Sequence, residues 1–201
     1  MISNLKIRLA DESDCREMLD IYEPFVSDTT VSFEYDVPSY DEFKGRIIEI
    51  QKKYPWLVCE TDNKIAGYAY ASAFNKRAAY DWSVDYSIYI NPVYHGMKIG
   101  TALYTCLTDI LRMQGYYNAF AGVTCTNKKS ESFHKSFGFK TVGTYHNAGY
   151  KFKKWHDVQW FEYIISEVQN PPAKIRGINE IKFLHEFSDI LENAEKLIPI
   201  K

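Results

Sequence analysis

Two titratable residues stand out in this sequence because each lies inside an otherwise apolar element. Asp85 interrupts the strand-like run "WSVDYSIYI" at residues 82–90, and His134 lies in the helix-like stretch "SESFHKSFGF". A carboxylate in such a place can act as a general base, and a histidine titrates near neutral pH and can pass protons. The plain alternatives are a surface-facing aspartate and a helix-surface histidine that packs beside Phe133 and Phe137. Asp85 and His134 are therefore candidate catalytic groups.

The loop after that strand has the composition of an anion-binding turn. It reads "HGMKIGT" at residues 95–101, with two glycines and Lys98 directly before an amphipathic helix. Backbone N–H groups at a helix start, assisted by the helix dipole, can hold a pyrophosphate. The alternative is an ordinary strand–helix connection. Neither G-x-x-x-x-G-K-[ST] nor G-x-G-x-x-G occurs, which argues against a P-loop and against a dinucleotide fingerprint.

Composition narrows the class of protein. The 201 residues fit one domain, and an apolar content of 46% is enough for a core. The 16 tyrosines favour a lined pocket or an interface, because tyrosine offers apolar area and a hydroxyl together. A net charge of -2 without a cationic run argues against nucleic-acid binding. No run approaches the roughly 20 apolar residues of a membrane span, and the first residues have no signal-peptide pattern.

The cysteines indicate a reducing compartment. Cys15, Cys59, Cys106 and Cys125 are dispersed, and no C-x-x-C pattern occurs. This spacing predicts neither a disulfide framework nor a metal site, so a cytosolic location is expected. Cys125 is interpreted as a core residue.

Hydrophobic periodicity predicts the elements that position these groups. Strands are expected at 5–10, 56–61, 64–74, 82–90, 118–124, 140–152 and 157–166, and "TTVSFEY" at 29–35 is also rich in β-forming residues. Helices are expected from Asp11 or Ser13 to about Glu23, after a Ser39–Glu42 capping box, over 101–114 with a stop at Gly115, and from Asn127 or Ser130 to Gly138. In the second helix Phe43, Ile47, Ile48 and Ile50 are the expected apolar positions. This order predicts an α/β domain with a mixed sheet and helices on both faces.

Pro171-Pro172 predicts a boundary that divides the chain into a domain at 1–172 and a tail at 173–201. The tail is predicted to form one amphipathic helix over 178–196, with Ile181, Leu184, Phe187 (or Ser188) and Leu191 in its apolar stripe. An isolated helix of this length is marginal in water, so we expect it to pack on the body or across a dimer.

Several blocks of the chain, in order, resemble the phosphinothricin and methionine sulfoximine N-acetyltransferases of the GCN5-related N-acetyltransferase (GNAT) superfamily. These blocks are "TVSFE" at 30–34, "YPWLV" at 54–58, "IAGYAYA" at 65–71, "KRAAYDWSVDYSIYI" at 76–90, "NPVYHGMKIGTALY" at 91–104, "FHKSFGF" at 133–139 and "WHDVQWFE" at 155–162. The resemblance covers about residues 5–172. It implies the acyl-CoA N-acyltransferase fold, in which a splayed mixed sheet holds acetyl-CoA between its fourth and fifth strands, without a metal.

The resemblance also implies a set of cofactor-binding residues: Ile88, Ile90, His95, Gly96, Met97, Lys98, Ile99, Gly100, Thr101, Asn127 and Ser130. The superfamily's pyrophosphate loop has the pattern Gln/Arg-x-x-Gly-x-Gly/Ala. Here His95 takes the first position, Gly100 keeps the last, and Lys98 replaces a glycine. Lysine carries a Cβ and disfavours positive φ, so this departure puts the shape of the loop in question.

The same resemblance assigns catalysis to Asp85 and His134. The family has Glu at the position of Asp85, and the shorter side chain makes an intervening water expected. For the acceptor, Arg77 and Tyr80 are candidates to hold a carboxylate, and Phe33 and Tyr89 can wall the side-chain pocket. Arg77 can equally be a solvated loop cation, and Trp155-His156-Asp157 is interpreted as a structural corner.

The predicted function is a cytosolic, homodimeric N-acetyltransferase for a small amino-acid-like amine. One alternative keeps the chemistry but changes the acceptor to a polyamine, an aminoglycoside or a protein N-terminus. Another is a CoA-binding regulatory module without turnover. Asp85 and Lys98, as departures from the family, keep that alternative open.

Overall fold

A seven-stranded mixed sheet forms the centre of the protein, in a computed structural model that describes residues 5–199. The strands are β1 (Leu5–Leu9), β2 (Trp56–Thr61), β3 (Lys64–Ala73), β4 (Ser83–Ile90), β5 (Asn118–Thr124), β6 (Lys140–Lys151) and β7 (Lys154–Ile164). Their order is β1-β2-β3-β4-β5-β7-β6. Only β4 and β5 pair in parallel among these strands; the other neighbours are antiparallel. The predicted mixed sheet is confirmed.

Two tight turns set the register of the β2–β3 and β6–β7 hairpins. The predicted turn between β2 and β3 is confirmed, with Asp62 and Asn63 both left-handed at φ 50° and 63°. The turn between β6 and β7 uses Phe152 and Lys153 at φ 52° and 60°. Because that turn is so tight, β7 begins at Lys154, three residues before the predicted start.

Four helices cover the two faces of the sheet: α1 (Cys15–Ser27), α2 (Tyr40–Gln51), α3 (Ile99–Gln114) and α4 (Lys128–Phe137). Along β2 the side chains alternate between two hydrophobic clusters, since successive strand residues face opposite sides. Trp56 and Val58 pack with α1 and α2, whereas Leu57 and Cys59 pack with α3. The sheet therefore has an α1/α2 face and an α3 face.

The helix starts follow their predicted caps. The Asp11 carboxylate accepts from the Ser13 N–H at 2.7 Å and precedes a short 3-10 turn that leads into α1. Ser39 and Glu42 form the predicted capping box of α2. Ile48 is 41% exposed, so its assignment to the apolar stripe of α2 is wrong. The helix α1 continues past Glu23 through Pro24, because the proline removes only one backbone hydrogen bond, on an exposed turn.

The segment at residues 29–35 is rich in β-forming residues, yet it is not a strand. Side-chain hydroxyls occupy the local backbone instead: Thr29 Oγ1 donates to the Phe25 carbonyl at 2.7 Å and accepts from the Val31 N–H at 3.1 Å. The Ser32 hydroxyl likewise accepts from the Glu34 N–H at 3.2 Å. Such local bonds compete with a ladder, so the segment forms a compact connection between α1 and α2.

The tail contains two helices, α5 (Ile178–Ile181) and α6 (His185–Glu195), where one was predicted. Ile181 and Phe187 are 0% and 3% exposed, and both belong to the core of the α3 face. In one continuous helix they would lie about 120° apart, at the two borders of one apolar stripe. The extended backbone of Leu184 turns the chain between the two helices. The division of the chain at residue 172 stays a prediction.

No helix in residues 5–199 has the length and apolar content needed to cross a membrane.

Candidate active site

The parallel strands β4 and β5 separate part-way along their length. They pair at Ser83–Asn118, Val84–Ala119 and Asp85–Phe120 only. Beyond this last rung a slot opens between them, lined on the β4 side by residues 86–89 and on the β5 side by residues 121–124. The slot provides an internal strand edge to which an elongated ligand can bind.

Asp85 lies at the closed end of this slot, on the last paired rung. Burial raises the pKa of its carboxyl group from 3.8 to about 7. Its Oδ1 atom is buried and has no hydrogen-bond partner among residues 5–199. An unpaired carboxylate with a pKa near neutrality suits proton abstraction at physiological pH.

His134 lies on α4, with 3% of its surface exposed, and borders the slot. Its Nδ1 atom is 2.8 Å from the Ser130 carbonyl oxygen, which can only accept, so Nδ1 carries the proton. Nε2 therefore accepts from the Tyr104 hydroxyl at 3.0 Å. Burial lowers the pKa of His134, and the neutral imidazole is favoured.

The two candidate catalytic residues approach the slot from opposite faces of the sheet. Tyr86 packs on α3, with its hydroxyl 3.1 Å from that of Thr108 and its ring beside Tyr104, the partner of His134. Asp85 precedes Tyr86 in β4, so its side chain points to the α1/α2 face. No hydrogen bond or ion pair joins Asp85 to His134 in the described part of the chain. The structure therefore places Asp85 and His134 on opposite faces of the sheet.

The loop before α3 has the backbone shape that a glycine-rich loop would have. Gly96 and Lys98 are left-handed, at φ 80° and 62°. Lys98 thus adopts a conformation that costs an L-residue about 1–2 kcal/mol. A Cβ at Gly100 would lie 3.2 Å from the Phe133 ring, so this position keeps α3 close to α4.

The remaining predicted cofactor residues differ in exposure and in whether they line the slot. In the loop, Thr101 is exposed, Met97 is 36% exposed, and Ile99 is buried. His95 is exposed, and its Nε2 lies 3.3 Å from the Ile90 carbonyl oxygen. Ile88 lines the slot. Ile90 instead packs against Gly67 of β3 and is not among the lining residues.

The cap of α4 settles which residue begins that helix. The Asn127 side chain accepts from the Ser130 N–H at 3.1 Å, so Asn127 is the cap. Both residues also line the slot.

The predicted acceptor residues lie on or beside the α1/α2 face. Tyr89 packs edge-on against Tyr22 of α1 at 4.9 Å and lines the slot. The Phe33 ring lies directly against Gly149, where a Cβ would overlap it. Arg77 and Tyr80 belong to the exposed connection between β3 and β4, and Arg77 has no ion-pair partner within residues 5–199. The Arg77 guanidinium is therefore available to a soluble anion.

Sequence reasoning missed several lining residues, above all Tyr104. It lies on the apolar stripe of α3 and is fully buried. The available signal was its hydroxyl, since a buried tyrosine normally has a hydrogen-bond partner. Val31, Ser87, Gly122 and Thr124 also line the slot without having been predicted.

Two other predicted features lie outside the slot. Asp157 accepts from the Asn147 N–H at 2.8 Å and from His146 at 3.0 Å, while His156 contacts the Lys151 carbonyl oxygen at 2.9 Å. These bonds hold the β6–β7 hairpin together. Cys125 is half-buried, so its interpretation as a core residue is wrong, and its N–H donates to the Asp157 carbonyl at 2.9 Å.

Comparison with known proteins agrees with this architecture. The family model for an acetyltransferase (GNAT) domain matches residues 7–160. The chain belongs to the GNAT acetyltransferase family. It is 32% identical to the phosphinothricin N-acetyltransferase of Streptomyces viridochromogenes over 177 residues, which are 88% of this chain and 96% of that protein. It is 27% identical to the L-methionine sulfoximine/L-methionine sulfone acetyltransferase of Salmonella typhimurium, covering 84% of this chain and 99% of that protein.

Solved GNAT structures share the fold. A phosphinothricin acetyltransferase from Sinorhizobium meliloti, solved in complex with acetyl-CoA, superposes with a TM-score of 0.79 at 27% identity. That match covers 92% of this chain and 97% of the other. The acetyltransferase yncA from Salmonella typhimurium, solved with acetyl-CoA, gives a TM-score of 0.80 at 28% identity, covering 85% of this chain and 99% of the other. The predicted acyl-CoA N-acyltransferase fold is confirmed.

Proposed function

We propose that this GNAT enzyme transfers the acetyl group of acetyl-CoA to the α-amino group of a small amino-acid-like acceptor of the phosphinothricin or methionine sulfoximine type. The observation that carries the proposal is Asp85, a half-buried carboxylate whose buried Oδ1 has no partner within residues 5–199 and whose pKa is about 7, at the closed end of the slot. The names of the similar acetyltransferases support the acceptor class.

The slot and the loop before α3 fit coenzyme A. The separated strand edges offer backbone groups to the amides of the pantetheine arm, and Asn127 and Ser130 border the same slot. The loop from His95 to Thr101 places its backbone at the N-terminus of α3, where the helix dipole favours a pyrophosphate. Acetyl-CoA supplies the acetyl group as an activated thioester.

Proton transfer is divided between the two faces of the sheet. Asp85 takes a proton from the acceptor ammonium, directly or through water, and frees the nitrogen lone pair for attack. On the α3 face, the hydroxyl of Tyr104 and the imidazole of His134 hold a shared hydrogen bond at the slot. This pair gives a proton to the departing sulfur and is reprotonated from solvent.

The acceptor lies on the α1/α2 face. Arg77 binds its carboxylate, and Tyr80, Phe33 and Tyr89 enclose its side chain. An arginine suits this task because its planar fork matches a carboxylate.

A panel of amines, assayed for release of free coenzyme A, tests the function. We expect turnover with phosphinothricin, methionine sulfoximine and methionine sulfone, and weaker turnover with the decarboxylated amine of matching shape. Arg77→Ala should raise KM for the amino acids far more than for the decarboxylated amine.

Other outcomes of the same assay separate the alternatives. Preference for a polyamine or an aminoglycoside would change the acceptor class. Acetyl-CoA binding, seen as a rise in Tm, without turnover on any amine would indicate a regulatory module.

We also propose a cytosolic homodimer. The four cysteines are free thiols, which suits a reducing compartment. Tyr145, Tyr150, Phe152 and Trp155 of the β6–β7 hairpin are 46–63% exposed, an amount of aromatic surface that suits an interface. Sedimentation equilibrium tests the dimer.

A further inference from the structure

Lys151, at the end of β6, has an unusual position for a lysine. Only 3% of its surface is exposed, and it lies outside every group of residues assigned so far. Its ammonium group donates to the Val26 carbonyl oxygen at 2.6 Å and to the Ser32 carbonyl oxygen at 2.7 Å. These acceptors are 125 and 119 residues away in the chain, so the lysine joins three separate segments.

The first acceptor belongs to the last turn of α1. Carbonyl groups in that turn have no partner within the helix and form the negative end of its dipole. A buried cation from another element satisfies one of them and complements the dipole. Lys151 thereby fixes the C-terminal end of α1, the helix whose Tyr22 and Phe25 pack on Tyr89 in the slot.

The second acceptor belongs to the connection between α1 and α2. Ser32 is 6% exposed, and its hydroxyl lies 2.8 Å from that of Tyr22. Residues on either side of it touch the site: Val31 lines the slot, and Phe33 lies on Gly149. Because this segment has no strand ladder, its position relative to the sheet depends on the hydrogen bonds of Ser32 to Lys151 and to Tyr22.

Further contacts hold the edges of the segment rather than its centre. The Thr30 hydroxyl is 2.8 Å from that of Thr126, and both are near the surface. Glu34 pairs with Arg46 at 2.6 Å, also with partly exposed side chains. Exposed contacts of this kind contribute little to the free energy that holds the segment in place. The buried hydrogen bonds at the centre of the segment are those of the Lys151 ammonium and the bond between the Ser32 and Tyr22 hydroxyls.

We propose that Lys151 is a positioning residue for the acceptor: through Ser32 and Val26 it holds the α1–α2 connection where Val31 and Phe33 enclose the acceptor side chain. This inference rests on the proposed function. It assigns Lys151 no contact with either substrate, and the pyrophosphate loop lies on other elements. Loss of the ammonium should therefore affect the acceptor and leave acetyl-CoA binding intact.

The test compares Lys151→Met with Lys154→Met. Lys154 is the cross-strand partner of Lys151 on the same hairpin, but its side chain is exposed. For Lys151→Met we expect KM for the acceptor to rise about tenfold, the loss of roughly one hydrogen bond, with KM for acetyl-CoA within about twofold. Hydrogen exchange of residues 28–36 should accelerate about tenfold or more in Lys151→Met, because their opening becomes easier. Lys154→Met should match the wild type in both measurements.

A merely structural role would lower Tm without separating the two KM values. Lys151→Arg keeps a cationic donor, so its KM for the acceptor should return much of the way to the wild-type value. If Lys151→Met does not fold, Lys151→Gln, which keeps an amide donor, takes its place in the comparison. Equal rises in both KM values, or unchanged exchange in residues 28–36, would overturn the inference while leaving the acetyltransferase assignment in place. Absence of wild-type turnover on every amine would instead reject the proposed function.

Discussion

Burial of Asp85 acts on catalysis and on stability in opposite directions. A carboxyl group with a pKa of about 7 is half ionised at neutral pH, so it can exchange a proton with an ammonium group there. The unfolded chain ionises the same group near pH 3.8, where the native state still holds its proton. Between these two pH values the native state binds more protons than the unfolded state. The free energy of unfolding therefore falls as the pH rises toward 7.

Asp85→Asn should consequently stabilise the protein while it removes activity. At pH 8 we expect Tm to rise by several degrees, since a buried charge is removed, and at pH 4 the gain should disappear. Turnover should fall roughly 10²-fold or more, with acetyl-CoA binding intact. In the wild type, turnover should increase with pH through about 7, as Asp85 ionises. Thermal denaturation across pH and initial rates measure both effects.

Asp81→Asn is the matched control, because the Asp81 side chain is 46% exposed and forms only a surface pair with Lys53. It should change neither the pH dependence of Tm nor the rate. Asp85→Asn with unchanged turnover would mean that the acceptor amine arrives already neutral or that another group takes its proton.

Lys98 stores backbone strain at the start of α3. Its φ of 62° is unfavourable for any residue with a Cβ, so Lys98→Gly should stabilise the ligand-free protein by about 1 kcal/mol, or roughly 2–4 °C in Tm. Lys98→Ala removes the same charge but keeps the strain, and it should not stabilise. Equal shifts for the two variants would show that charge, rather than backbone conformation, sets the effect.

At the scale of elements, local signals predicted most of the fold. The Ser39–Glu42 capping box spans four residues and the Asp62-Asn63 turn spans two, and both formed as expected. Alternating and helical periodicities placed the strands and the first four helices, since one buried face dictates the pattern.

The elements that sequence did not predict depend on distant partners. Residues 29–35 have the composition of a strand, yet their central carbonyl bonds to Lys151, 119 residues away. The tail pattern fits one helix, but the chain turns at Leu184, and Ile181 and Phe187 pack into the core of the α3 face from two separate helices. Neither partner is visible in a local window.

The sequence singled out candidate site residues by their type, but it did not predict their geometry. Asp85 and His134 are conspicuous because each is polar in an apolar setting. Their placement on opposite faces follows from the direction of β4 and from Tyr104, whose bond to His134 spans 30 residues. The burial that raises the pKa of Asp85 likewise arises only after the strands pair.

At the scale of the whole molecule, the tail completes the main core. Ile178, Ile181, Phe187 and Ile198 are each at most 3% exposed. Burying one such side chain contributes about 1.5–3 kcal/mol, so the four together approach the total stability of a typical domain.

Ending the chain after Ala173 should therefore lower Tm by roughly 12 °C or more, or abolish the cooperative transition. Circular dichroism during heating measures this. If the shortened chain does not fold, Phe187→Ala tests the same contact in the full-length chain, and it should lower the free energy of unfolding by about 3–5 kcal/mol. Phe183→Ala is its control, because Phe183 is 85% exposed and should be neutral. A truncated protein that keeps its Tm but loses turnover would instead place the tail in the active site.

The hydrogen bond between β1 and α6 can form only late in protein synthesis, because its two residues lie near opposite ends of the chain. The Ile7 N–H, on the outer edge of β1, donates to the Glu195 carboxylate at 2.7 Å across 188 residues of sequence. A ribosome adds about 5–20 residues per second, so roughly 10–40 s separate the synthesis of this donor and its acceptor. During that interval the strand edge is open to pairing with other nascent chains. Glu195 thus covers the edge of β1 only after the whole chain has been made. Loss of this carboxylate should therefore first appear as aggregation of nascent chains that are crowded on one polysome.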